Sequence, residues 1–244
     1  MRRLAVFLRG QPRTWNYTKN EMFNFFHGVA EHVDYYIAVW NNTDLDLLLQ
    51  DFKGKTVCAA VKVSKDQYFN AWQGPAYMSH LLSSHRYNQE KLFGKYDAII
   101  DTRFDVKFCL LDRPEIPTLW TFGSTNLKGC YNPSDLANLY DGLDDHCFLT
   151  TGGSHTVMNQ RYQNDAGSDG NHVSLFKFAK IHGIECFKIN WFTCNLVRPN
   201  CIETHADPES HWQQLTQAER LAYIHRANVD PHEYSADYHI GKLL

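Results

Sequence analysis

No stretch of this chain approaches the roughly 18–20 consecutive apolar residues that a membrane-spanning helix requires, so no transmembrane segment is expected. The apolar run at the start, Leu4 to Leu8, is cut short by Arg9. That is too short for the core of a secretion signal, and it reads as a first strand. An excess of basic charge is also missing. With 24 Lys and Arg against 27 Asp and Glu, the net charge is −3, which excludes the broad positive field of a nucleic-acid-binding surface. The seven cysteines are odd in number and none forms a C-x-x-C. Several lie inside apolar runs (Cys58, Cys109), which fits reduced thiols and a cytoplasmic location. Histidine is plentiful, yet His205, His211, His225, His232 and His239 are dispersed at spacings that suit no zinc site. There is no Gly-x-Ser-x-Gly elbow, no Walker A loop and no G-x-G-x-x-G. Asp165 to Gly170 imitates a calcium loop but places Gly167 at its third position and Phe176 at its twelfth. Asp44-Leu45-Asp46 is a literal D-x-D, but it opens a helical pattern, where acids cap the helix and complement its dipole.

What is present is an alternation of strands and helices on a chain of 244 residues, long enough to bury a sizeable core and 14% aromatic. Strand patterns cover Arg3–Leu8, Tyr35–Trp40, Thr56–Val63 and Tyr96–Phe108. Between them, helical spacing covers Trp15–Val33, with Met22, Phe25, Phe26, Val29 and Val33 on one face, then a short helix at Leu45–Phe52, then Trp72–Phe93. This β-α-β-α-β-α-β order predicts a parallel sheet with helices on its faces. Beyond Phe108 the pattern is less regular. Short strands are expected at Leu119–Phe122 and His146–Thr150, and a helix or turn at Pro133–Tyr140. Helices are expected at Ser154–Tyr162 and His172–His182, the latter closed by Gly183, with a strand at Ile184–Ile189. Residues 190–201 either continue that strand or form a hairpin, and one more helix fits Glu209–Arg226. With no repeat and no linker, residues 1–244 read as a single domain whose part beyond about 200 is less regular.

Three places can carry chemistry. In Tyr96–Phe108 an apolar run becomes a strict alternation, with Phe104, Val106 and Phe108 on one face and Arg103, Asp105 and Lys107 on the other. Strand ends of parallel sheets are where ligands bind. Asp105 can take a hard divalent ion, and Arg103 can offer a planar fork to phosphate or pair structurally with Asp105. Asp101 shares their face but lies about 13 Å from Asp105 on an extended strand, too far to ligate the same ion. The second place is the loop after the first strand, where Arg9, Gln11 and Arg13 suit a nucleotide diphosphate or are simply solvated. The third is Asp144-Asp145, where a carboxylate can order a sugar hydroxyl or act as a base, or else close a turn.

Taken together, these segments resemble a family of glycosyltransferase-like proteins of bacterial, phage and giant-virus genomes. The resemblance rests on Leu8-Arg9-Gly10-Gln11-Pro12-Arg13-Thr14, similar to that family's Gly-Gln-x-Arg first loop. It rests also on a helix followed by Tyr96-Asp97 and then Arg103-x-Asp105, and on Asp144-Asp145-x-x-Phe148, over about residues 3–150. The resemblance implies a GT-A-like fold, a three-layer α/β/α sandwich on a mostly parallel sheet. It implies hexosyl transfer from a UDP- or GDP-linked sugar to a glycan or other hydroxyl acceptor, with Mn2+ or Mg2+, in the cytoplasm of a bacterium or virus-infected cell. Arg9, Gln11, Arg13 and Arg103 would bind the nucleotide-sugar, Asp105 the metal, and Asp145 would serve catalysis. Arg103 stands where the first Asp of a D-x-D is usual, so its cation can partly substitute for the metal on the diphosphate. A non-catalytic sugar- or nucleotide-binding module remains open, as does a nucleotidyltransferase, although the first loop lacks the Gly-rich sequence and Lys of the latter.

Overall fold

The computed structural model describes residues 1–64, 73–110, 129–132, 146–163, 171–188 and 192–197. The chain divides into two compact units, Met1–Leu196 and Val197–Leu244, and all elements below belong to the first. The strands are β1 (Arg3–Gly10), β2 (His32–Trp40), β3 (Thr56–Val63), β4 (Ala98–Arg103), β5 (Val106–Leu110), β6 (Gly129–Asn132), β7 (Cys147–Thr150), β8 (Glu185–Lys188) and β9 (Phe192–Leu196). The helices are α1 (Trp15–Val29), α2 (Leu45–Gln50), α3 (Gln73–Phe93), α4 (Gly152–Asn159) and α5 (Asn171–Ile181). The expected segments Leu119–Phe122, Pro133–Tyr140 and Glu209–Arg226 lie outside the described residues.

Seven strands form one sheet in the order β3-β2-β1-β4-β7-β6-β8. β1, β2, β3 and β4 run parallel, β7 runs against its neighbours β4 and β6, and β6 is parallel to β8. Helices cover both faces, so the architecture is the expected α/β/α sandwich on a mostly parallel sheet. β1 is buried on both sides, which is why it reads as a continuous apolar run rather than an alternation. Leu4, Val6 and Leu8 join Tyr35, Ile37 and Ile100 beneath α1 and α2. Ala5 and Phe7 join Tyr36, Ala38 and Ile99 beneath α3. Farther along that second face, Phe148 of β7 packs with Met158, Phe176 and Ala179 of α4 and α5.

Three elements differ from their sequence patterns. The helix expected to reach Val33 ends at Val29. Ala30 is extended, its N–H returning to Phe26 O, and Val33 already belongs to β2, because His32 N–H bonds to Arg2 O beside β1. The stretch Tyr96–Phe108 is two strands rather than one. The chain turns at Phe104-Asp105, and β5 pairs with β9 in a separate two-stranded sheet. Thr18 of α1 holds this turn by donating to Phe104 O at 2.6 Å, and Phe104 packs edge-on to Trp15. The alternation of Phe104, Val106 and Phe108 therefore records burial under α1, not a longer strand in the main sheet. Residues 129–132, where no strand is expected, are strand β6, whose sheet position comes from pairing with β7 and β8.

The Tyr96-Asp97 pair of the sequence pattern has a structural use at the N-terminal edge of the sheet. Asp97 Oδ2 accepts the backbone N–H groups of Arg2 and Arg3 at 2.8 and 2.9 Å. Tyr96 donates to Asp34 Oδ2 at 2.6 Å and meets the Tyr36 hydroxyl at 2.8 Å. Arg3 pairs with Asp34 and lies over the Tyr96 ring. Burial pushes both phenols far up, so they remain neutral donors. Asp44 caps α2 by accepting Leu47 N–H at 3.1 Å, as its position before a helix predicts.

The aromatic packing of α1 sets the clearest stability expectation. Phe26 is fully buried against Phe25, Tyr35 and Phe108. Phe26→Ala should cost about 3–5 kcal/mol, and Tyr17→Ala on the exposed side of the same helix less than about 0.5 kcal/mol, both read from urea unfolding midpoints.

Candidate functional site

Because β1 and β4 are parallel neighbours, their C-terminal ends lie at one edge, with Arg9 in register with Arg103. Gly10 leaves the strand at φ +101°, a conformation that disfavours any side chain, and releases the chain into the loop before α1. In that loop Arg13 N–H donates to Gln11 O at 2.9 Å, and Arg13 Nε donates to Gln11 Oε1 at 3.3 Å. Arg13 is exposed and Gln11 half-buried. At the end of β4, Arg103 clasps Asp105 through two parallel bonds, Nε to Oδ1 at 2.8 Å and Nη2 to Oδ2 at 2.7 Å. The Asp105 side chain is 3% exposed and that of Arg103 26%, so the carboxylate faces inward and the guanidinium reaches the rim. The parallel sheet thus brings Gln11, Arg13, Arg103 and Asp105 to one edge.

Arg9 does not reach that rim. It is 1% exposed, and its Nε donates to Asp101 Oδ1 within the sheet layer. The expectation that Arg9 faces the nucleotide is corrected accordingly. Side chains alternate along β1, and position 9 falls on the α3 face with Phe7, directly over the buried carboxylate. Asp101 is fully buried and also meets His155 Nε2 at 3.2 Å. The ring of His155 stands edge-on to Phe7, and its Nδ1 lies 3.2 Å from Asn159 Nδ2. Asn159 Nδ2 in turn donates to Ser83 Oγ of α3 at 3.4 Å. A neutral imidazole with its proton on Nε2 satisfies both neighbours. Desolvation pushes His155 down to about 4, only partly opposed by its bond to Asp101. Desolvation alone would raise Asp101, but the Arg9 charge and the His155 bond outweigh it and hold the carboxyl well below the usual range. The pair is therefore Arg9 cation and Asp101 anion, with His155 uncharged.

A divalent ion at Asp105 is poorly served by the described residues. Both Asp105 oxygens are bonded to Arg103, and among the described residues no group of three His, Cys, Asp or Glu can hold a metal. Asp145 lies outside the described residues. Its neighbour His146 accepts Arg103 N–H at 3.2 Å and Thr102 Oγ1 at 2.9 Å, and β7 begins one residue later at this edge.

The residues that sequence reading did not connect are His155, Asn159, Ser79, Ser83 and Arg86. All five are buried on helix faces that turn inward. Arg86 pairs with Glu90 and donates to Thr156 Oγ1 at 2.7 Å, joining α3 to α4. Their signal was polar residues at helical spacing (79, 83 and 86; 155 and 159), but such a stripe does not name its partner.

Asp101→Asn removes the counter-charge of a buried guanidinium and should cost about 3–5 kcal/mol in equilibrium urea unfolding. The pH dependence follows from His155. Its folded value lies below its unfolded one, so its contribution is complete above about pH 6.5. It falls by roughly 3 kcal/mol as pH drops towards 4, because the unfolded chain takes up a proton that the native ring refuses. Asp101 adds a further loss below about pH 4. Unfolding free energies at pH 7, 5 and 4 should show this slope, and His155→Gln should flatten its upper part.

No family model and no curated protein matches the chain. Among solved structures it is similar to a Bacillus anthracis protein in complex with sucrose, described as a glucose-1-phosphate thymidylyltransferase. The two share 9% identity at a TM-score of 0.38 over 78% of this chain and 88% of that one.

Proposed function

We propose that the chain is a glycosyltransferase that moves a sugar from a nucleotide-diphospho-sugar to an acceptor hydroxyl. The observation that supports this reading is the shared edge. The parallel β1–β4 pair places the Gly10–Thr14 loop and the Arg103–Asp105 clasp side by side where a doubly covered sheet binds its ligands. The resemblance of the same segments to glycosyltransferase-like proteins supplies the substrate class. Arg13 and Arg103 are the cationic groups for the diphosphate. Asp105 holds the Arg103 guanidinium plane in place, so charge developing on the leaving diphosphate meets a preoriented donor. Asp145 precedes a strand that starts at this edge and is the proposed base for the acceptor hydroxyl. Mn2+ or Mg2+ would, when bound, add positive charge on the diphosphate. The described donor set does not fit it, and Arg103 carries that part of the reading.

The test is turnover of UDP- and GDP-linked hexoses, with and without Mn2+, by the wild type and by Asp105→Ala, Arg13→Ala and Asp145→Asn. Asp105→Ala removes the carboxylate that orients the Arg103 guanidinium and should lower kcat/KM by about tenfold to a hundredfold. Asp145→Asn should lower kcat with little change in donor binding. Donor binding without turnover under every condition would replace this reading with a non-catalytic sugar-nucleotide-binding module. Full activity in Asp105→Ala would remove the site assignment.

A further inference from the structure

The opposite edge of the sheet carries chemistry that the proposed reaction does not use. Among the described residues, large apolar side chains are exposed at few places, and three of them are the closing residues of two helices. Leu92 and Phe93 end α3 at 72% and 66% exposure, and Ile181 ends α5 at 80%. Tyr87, farther back on α3, is exposed beneath the ammonium of Lys91, 4.4 Å from the ring centroid.

The topology puts these helix ends together. α3 leads into β4 and α5 into β8. β7 runs against both β4 and β6, and β6 runs with β8, so β4 and β8 point the same way and start at the same edge. Three strand steps separate them, about 14 Å. The two helices also lie on one face. α3 covers Phe7 and Ile99, α5 covers Phe148, and Phe148 is in register with Asp101 on the side that holds Phe7.

Among the described residues the exposed charge at this edge is positive, whereas the chain as a whole carries −3. Arg2, Lys91, Lys95 and Lys180 stand exposed around the apolar tips, against exposed Glu31 and Glu185. The other acids described nearby are committed inward, Asp97 to the backbone of Arg2 and Arg3, Asp34 to Arg3 and Tyr96, and Glu90 to Arg86. The apolar residues are helix-end tips, each within two positions of a lysine along the chain. A protein partner would need a continuous complementary surface. A lipid surface accepts separate apolar tips in one plane and attracts the lysines around them.

We propose that this edge docks on an anionic lipid surface, with Leu92, Phe93 and Ile181 entering the headgroup boundary and Lys91, Lys95 and Lys180 on the phosphates. Because the strands cross the molecule from one edge to the other, the rim with Arg13 and Arg103 then faces away from the bilayer, into water. The docking does not depend on the proposed reaction.

The test is cosedimentation of the full chain with vesicles of pure phosphatidylcholine and of phosphatidylcholine mixed with phosphatidylglycerol, at low and high salt. Binding to the anionic vesicles alone is expected, weakening as salt rises. The double variant Leu92→Glu/Phe93→Glu should bind at least about tenfold more weakly, and Ile181→Glu should show a smaller loss. These side chains are exposed, so the variants should unfold at the wild-type midpoint. Absence of binding to anionic vesicles would overturn the proposal, as would equal binding by the double variant. A self-associated wild type that the double variant makes monomeric would overturn it too, in favour of a second copy of the chain on this edge.

Discussion

The structure depends on one buried ion pair. Arg9 and Asp101 come from neighbouring parallel strands at the centre of the sheet, and neither side chain reaches solvent. Removing two charges from water is costly, and the cost is offset by their mutual attraction and by the hydrogen bonds around them. His155, Asn159 and Ser83 extend the bonding from the sheet through α4 to α3. This makes the register of β4 against β1 all but obligatory. A slip of one residue would turn Asp101 towards the apolar face beneath α1 and leave the Arg9 cation in the core.

That pair sits directly under the rim and divides the labour among the arginines. Arg9 anchors the end of β1 from below, so the Gly10–Thr14 loop leaves the sheet from a fixed point. Arg103, its neighbour in register, is held from the side by Asp105 and stays partly exposed. One arginine is buried and the other partly exposed, although they end adjacent strands and are the same residue type. The difference lies in which carboxylate each meets, Asp101 in the sheet layer or Asp105 beyond the turn. The turn in turn depends on Thr18 and Phe104 packing against α1.

The two edges of the sheet are built for different purposes. At the N-terminal edge, Asp97, Tyr96, Tyr36, Asp34 and Arg3 consume one another's polar groups and close the sheet against water. The large apolar side chains described as exposed there, Leu92, Phe93 and Ile181, come from helix ends. At the C-terminal edge the polar groups come from loops that the sheet orients but does not cover. The Tyr96-Asp97 and Arg103-x-Asp105 elements of one sequence pattern therefore serve opposite ends of the same strand, one for closure and one for the rim.

Much of this was legible in the chain itself. The β-α order, the doubly buried β1, the cap at Asp44 and the placing of the first loop with Arg103 at one edge all follow from local periodicity and from the rule that parallel strands end together. Such patterns report which residues are buried and in what local geometry. They do not report which element buries them. Phe104, Val106 and Phe108 alternate equally well in one long strand or, as they prove, after a turn into a second sheet. β6 has no pattern of its own, because its place is set by its neighbours. Arg9 and Arg13 look alike in a polar loop, yet one is under the sheet and the other in solvent. The sequence by itself determined the layers and the direction of the strands, since these rest on local hydrophobic spacing. Only the tertiary structure decided that Asp101 belongs to Arg9 and Asp105 to Arg103, because pairing between charges on different elements depends on register and burial that no spacing along the chain records.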